Sequence, residues 1–302
     1  MSRTSEAAQG KWRGILLELG LSSEALRNRH GPCPMCGGRD RFRWDNRDGN
    51  GGFICSQCGS GDGFRLLQLV KGWDFATAAR EVDRVVGIVR AEPIRRERSP
   101  EQRRRSLIDL WQSARRVTVG DPVSAYLDHR RVGLPQNVDA IRYAPTCPCP
   151  GGSQRPAMIA RVTGPDGKGA TIHRTFLTPQ GRKAEMDQPR ATMPGTIPDG
   201  AAIRLSMHGD RLGIAEGIET ALAATARFGV PVWAAINATM LAKWTPPEGV
   251  TQVVVFADND ATFTGQEAAY SLAKRLAIKL GIQVDVRMPG RVGADWADAD
   301  AA

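Results

Sequence analysis

Two sets of side chains in this 302-residue chain have the types and spacing of metal ligands. The first is Cys33-Pro-Met-Cys36, then eighteen residues, then Cys55-Ser-Gln-Cys58. Four thiolates are soft donors, and two CxxC knuckles on facing hairpins supply a tetrahedral Zn²⁺ with its full ligand set. The second set is Glu216, in Glu216-Gly217, with Asp258 and Asp260 in Phe256-Ala257-Asp258-Asn259-Asp260. These are hard oxygen donors. Mg²⁺ takes few carboxylates and completes its shell with waters and phosphate oxygens, and Mn²⁺ accepts the same donors. Asp295, in Gly293-Ala294-Asp295-Trp296, can complete the acidic cluster.

Each set has a bland alternative. Either CxxC alone could be a redox pair or two buried thiols, but two copies at this distance match one metal site. One structural zinc is therefore expected, with Gly37, Gly38 and Gly59 letting the backbone turn tightly around sulfur. His30 is expected outside the ligand set, because four cysteines already fill it. Cys147 and Cys149 stand beside prolines and read as free thiols in a loop. A single Asp is often a helix cap or a solvated turn, the reading preferred for Asp298 and Asp300. Three carboxylates converging at strand ends need a cation or a proton to coexist.

The net charge is +9. From Ser206 onward there are 8 Lys and Arg against 11 Asp and Glu, so the first 205 residues carry +12 and the rest −3. A basic front suits a polyanion and an acidic back suits cations. Met1 to Gly10 are polar and small, and no run approaches about twenty apolar residues. The expectation is a cytoplasmic protein without a membrane partner, whose cysteines bind metal instead of forming disulfides.

The elements that must position these ligands fall into regions. Residues 1–90 hold a short helix over Trp12 to Leu19, the cysteine module, and helical segments marked by Phe64, Leu67, Phe75 and Val82. Residues 91–105 carry two prolines, dense charge and little apolar content, and read as a basic linker. Residues 106–205 form a middle region with a hairpin, Pro156 to Val162 and Ala170 to Leu177, around Gly164-Pro165-Asp166-Gly167. Thr178 to Gly200 reads as loop. Residues 206–302 alternate strands and helices: Leu212 to Ala215, Ile218 to Phe228, Val230 to Ile236, Gln252 to Ala257, Gly265 to Leu280 and Ile282 to Arg287. That order predicts a mostly parallel α/β sheet covered on both faces. Glu216 and Asp258 then stand at carboxyl ends of strands, where such sheets bind ligands.

Between the knuckles runs Arg39-Asp40-Arg41-Phe42-Arg43-Trp44. On a strand the arginines share one face, Phe42 and Trp44 the other. The arginines could grip phosphates while the aromatics pack, or the aromatics, Trp44 above all, could stack bases. The bland reading is a basic strand over a small core.

Ile214-Ala215-Glu216-Gly217-Ile218-Glu219-Thr220-Ala221, Phe256-Ala257-Asp258-Asn259-Asp260 and Gly293-Ala294-Asp295-Trp296 resemble the acidic motifs of the Toprim fold, shared by bacterial-type primases, topoisomerases and some nucleases. His30-Gly31-Pro32-Cys33-Pro34-Met35-Cys36-Gly37-Gly38 and Gly61-Asp62-Gly63-Phe64 resemble the zinc-binding domain of phage- and plasmid-type primases. Thr220 departs from cellular primases, where an Asp is usual, and Glu219 is not expected to replace it, because its side chain points elsewhere.

The resemblance implies a zinc ribbon followed by a primase-type catalytic core with a C-terminal Toprim sheet. It implies RNA primer synthesis on single-stranded DNA from NTPs, for a phage, plasmid or other mobile element. Glu216, Asp258, Asp260 and Asp295 would be catalytic, with Mg²⁺ or Mn²⁺ on the first three. Arg39, Arg41, Arg43 and Trp44 would meet the template. In the middle region Arg161, Arg174, Arg182, Lys183 and Arg190 are candidates for template and nucleotide, Arg174 first among them.

No G-x-x-x-x-G-K-[ST] occurs; Gly164-Pro165-Asp166-Gly167-Lys168-Gly169 lacks both spacing and hydroxyl. Unwinding would then fall to a replicative helicase in trans. A topoisomerase needs a further domain with a nucleophilic tyrosine, and only Tyr126, Tyr143 and Tyr270 exist. A Toprim nuclease and a non-catalytic zinc-ribbon protein that binds single-stranded DNA stay as alternatives.

Overall fold

The structure is a computed structural model that describes residues 3–46, 48–91, 99–150 and 152–297. It divides into two compact units, Met1–Ser99 and Pro100–Ala302. Residues 92–98 of the expected linker lie outside the described residues, as do Asp298 and Asp300.

In the first unit helices α1 (Arg3–Ala8) and α2 (Trp12–Glu18) precede an antiparallel ribbon of β1 (Gly31–Cys33), β2 (Gly37–Trp44), β3 (Phe53–Cys55) and β4 (Gly59–Gly61). Helices α3 (Gly63–Lys71) and α4 (Phe75–Val86) follow. Each has an aspartate cap: Asp62 accepts from the Arg65 N–H at 2.9 Å and Asp74 from the Thr77 N–H at 2.7 Å, which satisfies donors the helix itself cannot. The periodic apolar residues of α2, α3 and α4 close over the inner face of the ribbon, burying Trp12, Ile15, Leu66, Leu67 and Val82 with Phe42, Trp44 and Phe53.

The second unit starts with α5 (Pro100–Ser113), which takes up the end of the expected linker, and α6 (Pro122–His129). Strands β5 (Ile141–Pro148), β6 (Gln154–Thr163), β7 (Gly169–Phe176) and β8 (Arg190–Thr192) are antiparallel. Then come β9 (Ala202–Ile203), β10 (Arg211–Ala215), α7 (Ile218–Phe228), β11 (Val232–Ala234), α8 (Ala238–Lys243), β12 (Gln252–Phe256), α9 (Thr264–Leu280) and β13 (Gln283–Arg287). Here β10 pairs in parallel with β11 and β12, and β12 with β13.

All these strands belong to one sheet, ordered β13-β12-β10-β11-β9-β6-β7-β8, with β5 on β6. The two-residue strand β9 is antiparallel to both β11 and β6 and welds the halves together. The division expected at residue 205 therefore falls beside the strand that joins them. The expected loop after Leu177 contains β8, and Cys147 lies in a strand, not a loop. The valine run of β12 is buried on both faces. Val254 and Phe256 meet α7 residues such as Ala221, while Val253 and Val255 meet Leu272 and Leu276 of α9.

Candidate catalytic and metal-binding sites

Cys33 ends β1 and Cys55 ends β3, so each knuckle is the turn into the next strand. Gly37, Gly38 and Gly59 have φ of +70°, +83° and +82°, a region that costs other residues. The Sγ atoms of Cys33 and Cys58 are 4.0 Å apart, and those of Cys36 and Cys55 3.8 Å. All four lie within 4.8 Å of one another. A tetrahedron with Zn–S bonds of about 2.3 Å has edges of about 3.8 Å, so the four thiols fit zinc. The Met35 and Cys58 N–H groups each point at a sulfur, at 3.4 Å. His30 is elsewhere: its Nδ1 bonds the Asp40 carbonyl at 3.0 Å.

On β2 the alternation decides between the two uses of the aromatic face. Arg39 and Arg41 are exposed, and Arg43 is half-buried with Asp45 at 3.6 Å. Trp44 is only 5% exposed, inside the core with Phe42. The expectation that Trp44 meets nucleic acid is corrected: the helices that cover this face leave no side open to a base.

At the other site Glu216 follows β10 directly, and Asp258 stands two residues beyond β12. The two strands are neighbours, with Ala215 opposite Phe256, so their carboxylates come out side by side. Burial, with Asp260 adding to it, pushes the Glu216 carboxyl up, while Arg190 and the Ala238 N–H at the start of α8 hold it back. Burial and the charges of Glu216, Asp295 and Asp260 push Asp258 up to about 7, against a hydrogen bond from the Thr220 hydroxyl at 3.3 Å.

Asp260 turns partly to structure: its Oδ2 accepts the Gly265 N–H at 2.7 Å at the start of α9. A Cβ at Gly265 would come within 3.0 Å of this carboxylate and of the Asp258 carbonyl. Asp295 accepts two hydrogen bonds from Arg130, at 2.9 and 3.2 Å. Among the described residues the cysteines alone close up as a ligand group. The carboxylates form an open array, which suits an ion that keeps waters and binds phosphate.

Behind Glu216 lies a polar network that the sequence did not reveal. Glu219, buried on α7, accepts hydrogen bonds from the Tyr126 phenol and from Arg190 Nη2, the latter at 3.1 Å. Burial acts against its charge, but Arg190 and Tyr126 hold its carboxyl below the usual range. His173 lines the same small cavity as Arg190, Gly217 and Glu219, and burial lowers its imidazole to about 4. Lys183 is exposed nearby, its ammonium pushed down by partial burial and by Arg190 and Arg130, against the pull of Glu219 and Asp295.

Arg174 is not part of this group. It is 6% exposed, its guanidinium donates to the Pro148 and Thr192 carbonyls, and it covers Phe176. The expectation that Arg174 leads the nucleotide-binding residues is corrected, since its side chain is buried and both terminal nitrogens donate to carbonyls inside the fold. Arg161 lies over the Trp111 ring and Arg182 is exposed. Arg130, which anchors Asp295, carried no sequence signal, because the two are 165 positions apart.

Residues 211–301 match the Toprim domain family, and residues 28–64 match the zinc-binding domain of primase-helicase. Residues 101–205 match a domain of unknown function (DUF7146). The chain thus carries a Toprim domain behind an N-terminal primase-type zinc ribbon. Among solved structures it is similar to the zinc-binding and RNA polymerase domains of Aquifex aeolicus primase, at 15% identity and TM-score 0.42, covering 98% of this chain and 81% of that one. It is also similar to the primase fragment of the bacteriophage T7 primase-helicase protein, at 16% identity and TM-score 0.41, covering 89% and 92%. A DnaG primase catalytic domain bound to single-stranded DNA matches at 15% identity and TM-score 0.43, covering 65% and 77%. No helix among the described residues is long and apolar enough to cross a membrane.

Proposed function

We propose that this Toprim-fold chain with its primase-type zinc ribbon is a DNA primase, an RNA polymerase that makes short primers on single-stranded DNA from NTPs. One observation carries the reading. At the carboxyl edge of the Toprim sheet Glu216 and Asp258 emerge side by side from neighbouring parallel strands, and burial together with the Glu216 charge pushes Asp258 up to about 7, a cost that a bound cation would relieve. Mg²⁺ or Mn²⁺ on Glu216, Asp258 and Asp260 would neutralise triphosphate charge and assist attack by a 3′-hydroxyl.

The chain's own residues do the rest. Arg190, fixed by Glu219, and the neighbouring Lys183 bring positive charge beside the carboxylates to orient phosphates. Arg130 holds Asp295 against the cluster as a positioning residue. On the ribbon Arg39, Arg41 and Arg43 engage template phosphates, and the zinc is structural. A separate replicative helicase supplies the single strand, and the work takes place in the cytoplasm for a phage, plasmid or other mobile element.

Incubation with single-stranded DNA, labelled NTPs and Mg²⁺ or Mn²⁺ tests this. Short RNA products are expected, reduced by at least roughly a hundredfold in Asp258→Asn. DNA cleavage without synthesis would favour a Toprim nuclease, and strand binding with neither activity would favour a binding protein.

A further inference from the structure

Among the described residues four that are not glycine have positive φ: Asn46, Arg131, Ile236 and Phe263. Asn adopts this region readily, but the other three do so at a cost. Each stands within three positions in the chain of a residue that belongs to the carboxylate array or contacts it. Arg131 follows the arginine that holds Asp295. Ile236 stands two residues before Ala238, whose N–H faces Glu216. Phe263 stands three residues after Asp260.

Phe263 differs from the other two in its side chain. It is 70% exposed, a large aromatic ring in solvent. Its backbone is held from both sides: its N–H donates to the Asp260 carbonyl at 3.1 Å and its carbonyl accepts from the Glu267 N–H at 2.9 Å. The hydroxyls of Thr262 and Thr264 on either side are 3.0 Å apart. These bonds support the turn at φ +61°. Glycine would adopt it freely and would start α9 equally well. A phenylalanine here bears backbone strain and gains nothing from burial. Both penalties fall on the residue beside a candidate metal ligand.

We propose that Phe263 is a stacking platform for an unpaired nucleobase whose phosphates lie at the carboxylate array. An aromatic ring takes any base, because every base presents a π-face. The base belongs to a free nucleotide or to a single strand, and the chemistry at Phe263 is the same for both. The inference rests on the reading of Glu216, Asp258 and Asp260 as a phosphate-and-metal site.

The test uses the full chain and three variants, Phe263→Gly, Phe263→Leu and Phe263→Trp. Binding is read with an oligonucleotide carrying 2-aminopurine, whose emission falls on stacking, and separately with NTP in the presence of Mg²⁺. Phe263→Gly should melt a few degrees higher, because strain is relieved, yet bind roughly tenfold more weakly. Phe263→Leu keeps apolar bulk without a π-face and should also lose roughly tenfold, while Phe263→Trp should match or exceed the original. Loss confined to the NTP assay assigns the base to a nucleotide; loss confined to the oligonucleotide assigns it to a strand. Leucine binding as well as phenylalanine, or tryptophan binding no better than leucine, overturns the platform alone. An unaltered protein that binds neither probe overturns the reading of the carboxylate site and the platform with it.

Discussion

The guanidinium of Arg190 on β8 lies 3.1 Å from the carboxylate of Glu219 on α7, one turn beyond Glu216. Glu219 is 3% exposed, whereas the Arg190 side chain is 44% exposed. One end of this pair thus belongs to the core and the other faces solvent beside the carboxylates. Arg190→Met should strand a buried charge. Removing a partner from a fully buried pair costs about 3–5 kcal/mol; water can replace part of Arg190, so roughly 2 kcal/mol is expected. The Glu216 carboxyl, now without Arg190 to hold it down, should rise further. Denaturant unfolding and the pH profile of primer synthesis, displaced to higher pH, check both effects.

The half-buried Asp258 and the buried His173 should give opposite pH slopes in metal-free protein. Asp258 rises on folding from 3.8 to about 7, so the folded state binds more protons and stability falls as pH climbs through that window. His173 drops on folding from 6.5 to about 4, so the unfolded state binds more protons and stability climbs with pH there. The original protein should be nearly flat between them. Asp258→Asn should leave a rising slope and His173→Gln a falling one, each roughly 1–3 kcal/mol across the window. Melting temperature from pH 4 to 7.5 with a chelator present decides it; parallel slopes in the two variants would show that neither group titrates as placed.

Divalent ions should add to this contrast. At pH 8 Mg²⁺ should raise the melting temperature of the original protein by binding the folded state alone. The same addition should do little for Asp258→Asn. An equal rise in both would place the ion elsewhere.

One zinc per chain is expected, released by Cys33→Ser. The metal contributes folding energy to a ribbon whose β1, β3 and β4 have three residues each. Calorimetry should show loss of one transition, that of the first unit, with the second intact. Zinc retained in the variant, or both transitions lost together, contradicts this.

Arg39 and Arg41 lie exposed on the ribbon. If each meets one phosphate, replacement by alanine should flatten the plot of log affinity against log salt by about 0.7 per residue. Arg174→Met should leave that slope unchanged and lower stability instead, since its donors serve the Pro148 and Thr192 carbonyls.

Local pattern was enough for much of this protein. The spacing of Cys33, Cys36, Cys55 and Cys58 named a zinc site because a knuckle is closed by residues adjacent in the chain. The alternation of apolar strands and helices placed Glu216 and Asp258 at strand ends, since burial on both faces shows in the residues themselves. It also put Phe42 and Trp44 on one side of β2 and the arginines on the other, but not which side would be covered. That was decided by the helices packed over it.

What periodicity cannot show is which distant element lies alongside. Antiparallel β9 makes one sheet of two expected regions; Arg174 points into the fold; Glu219 meets Tyr126 and Arg190; Asp295 meets Arg130. Each partner is set by how the elements close on one another, across 18 residues for Arg174 and Thr192 and 165 for Arg130 and Asp295. A side chain's periodicity fixes the face it occupies, whereas its neighbour on that face is chosen only when the sheet closes.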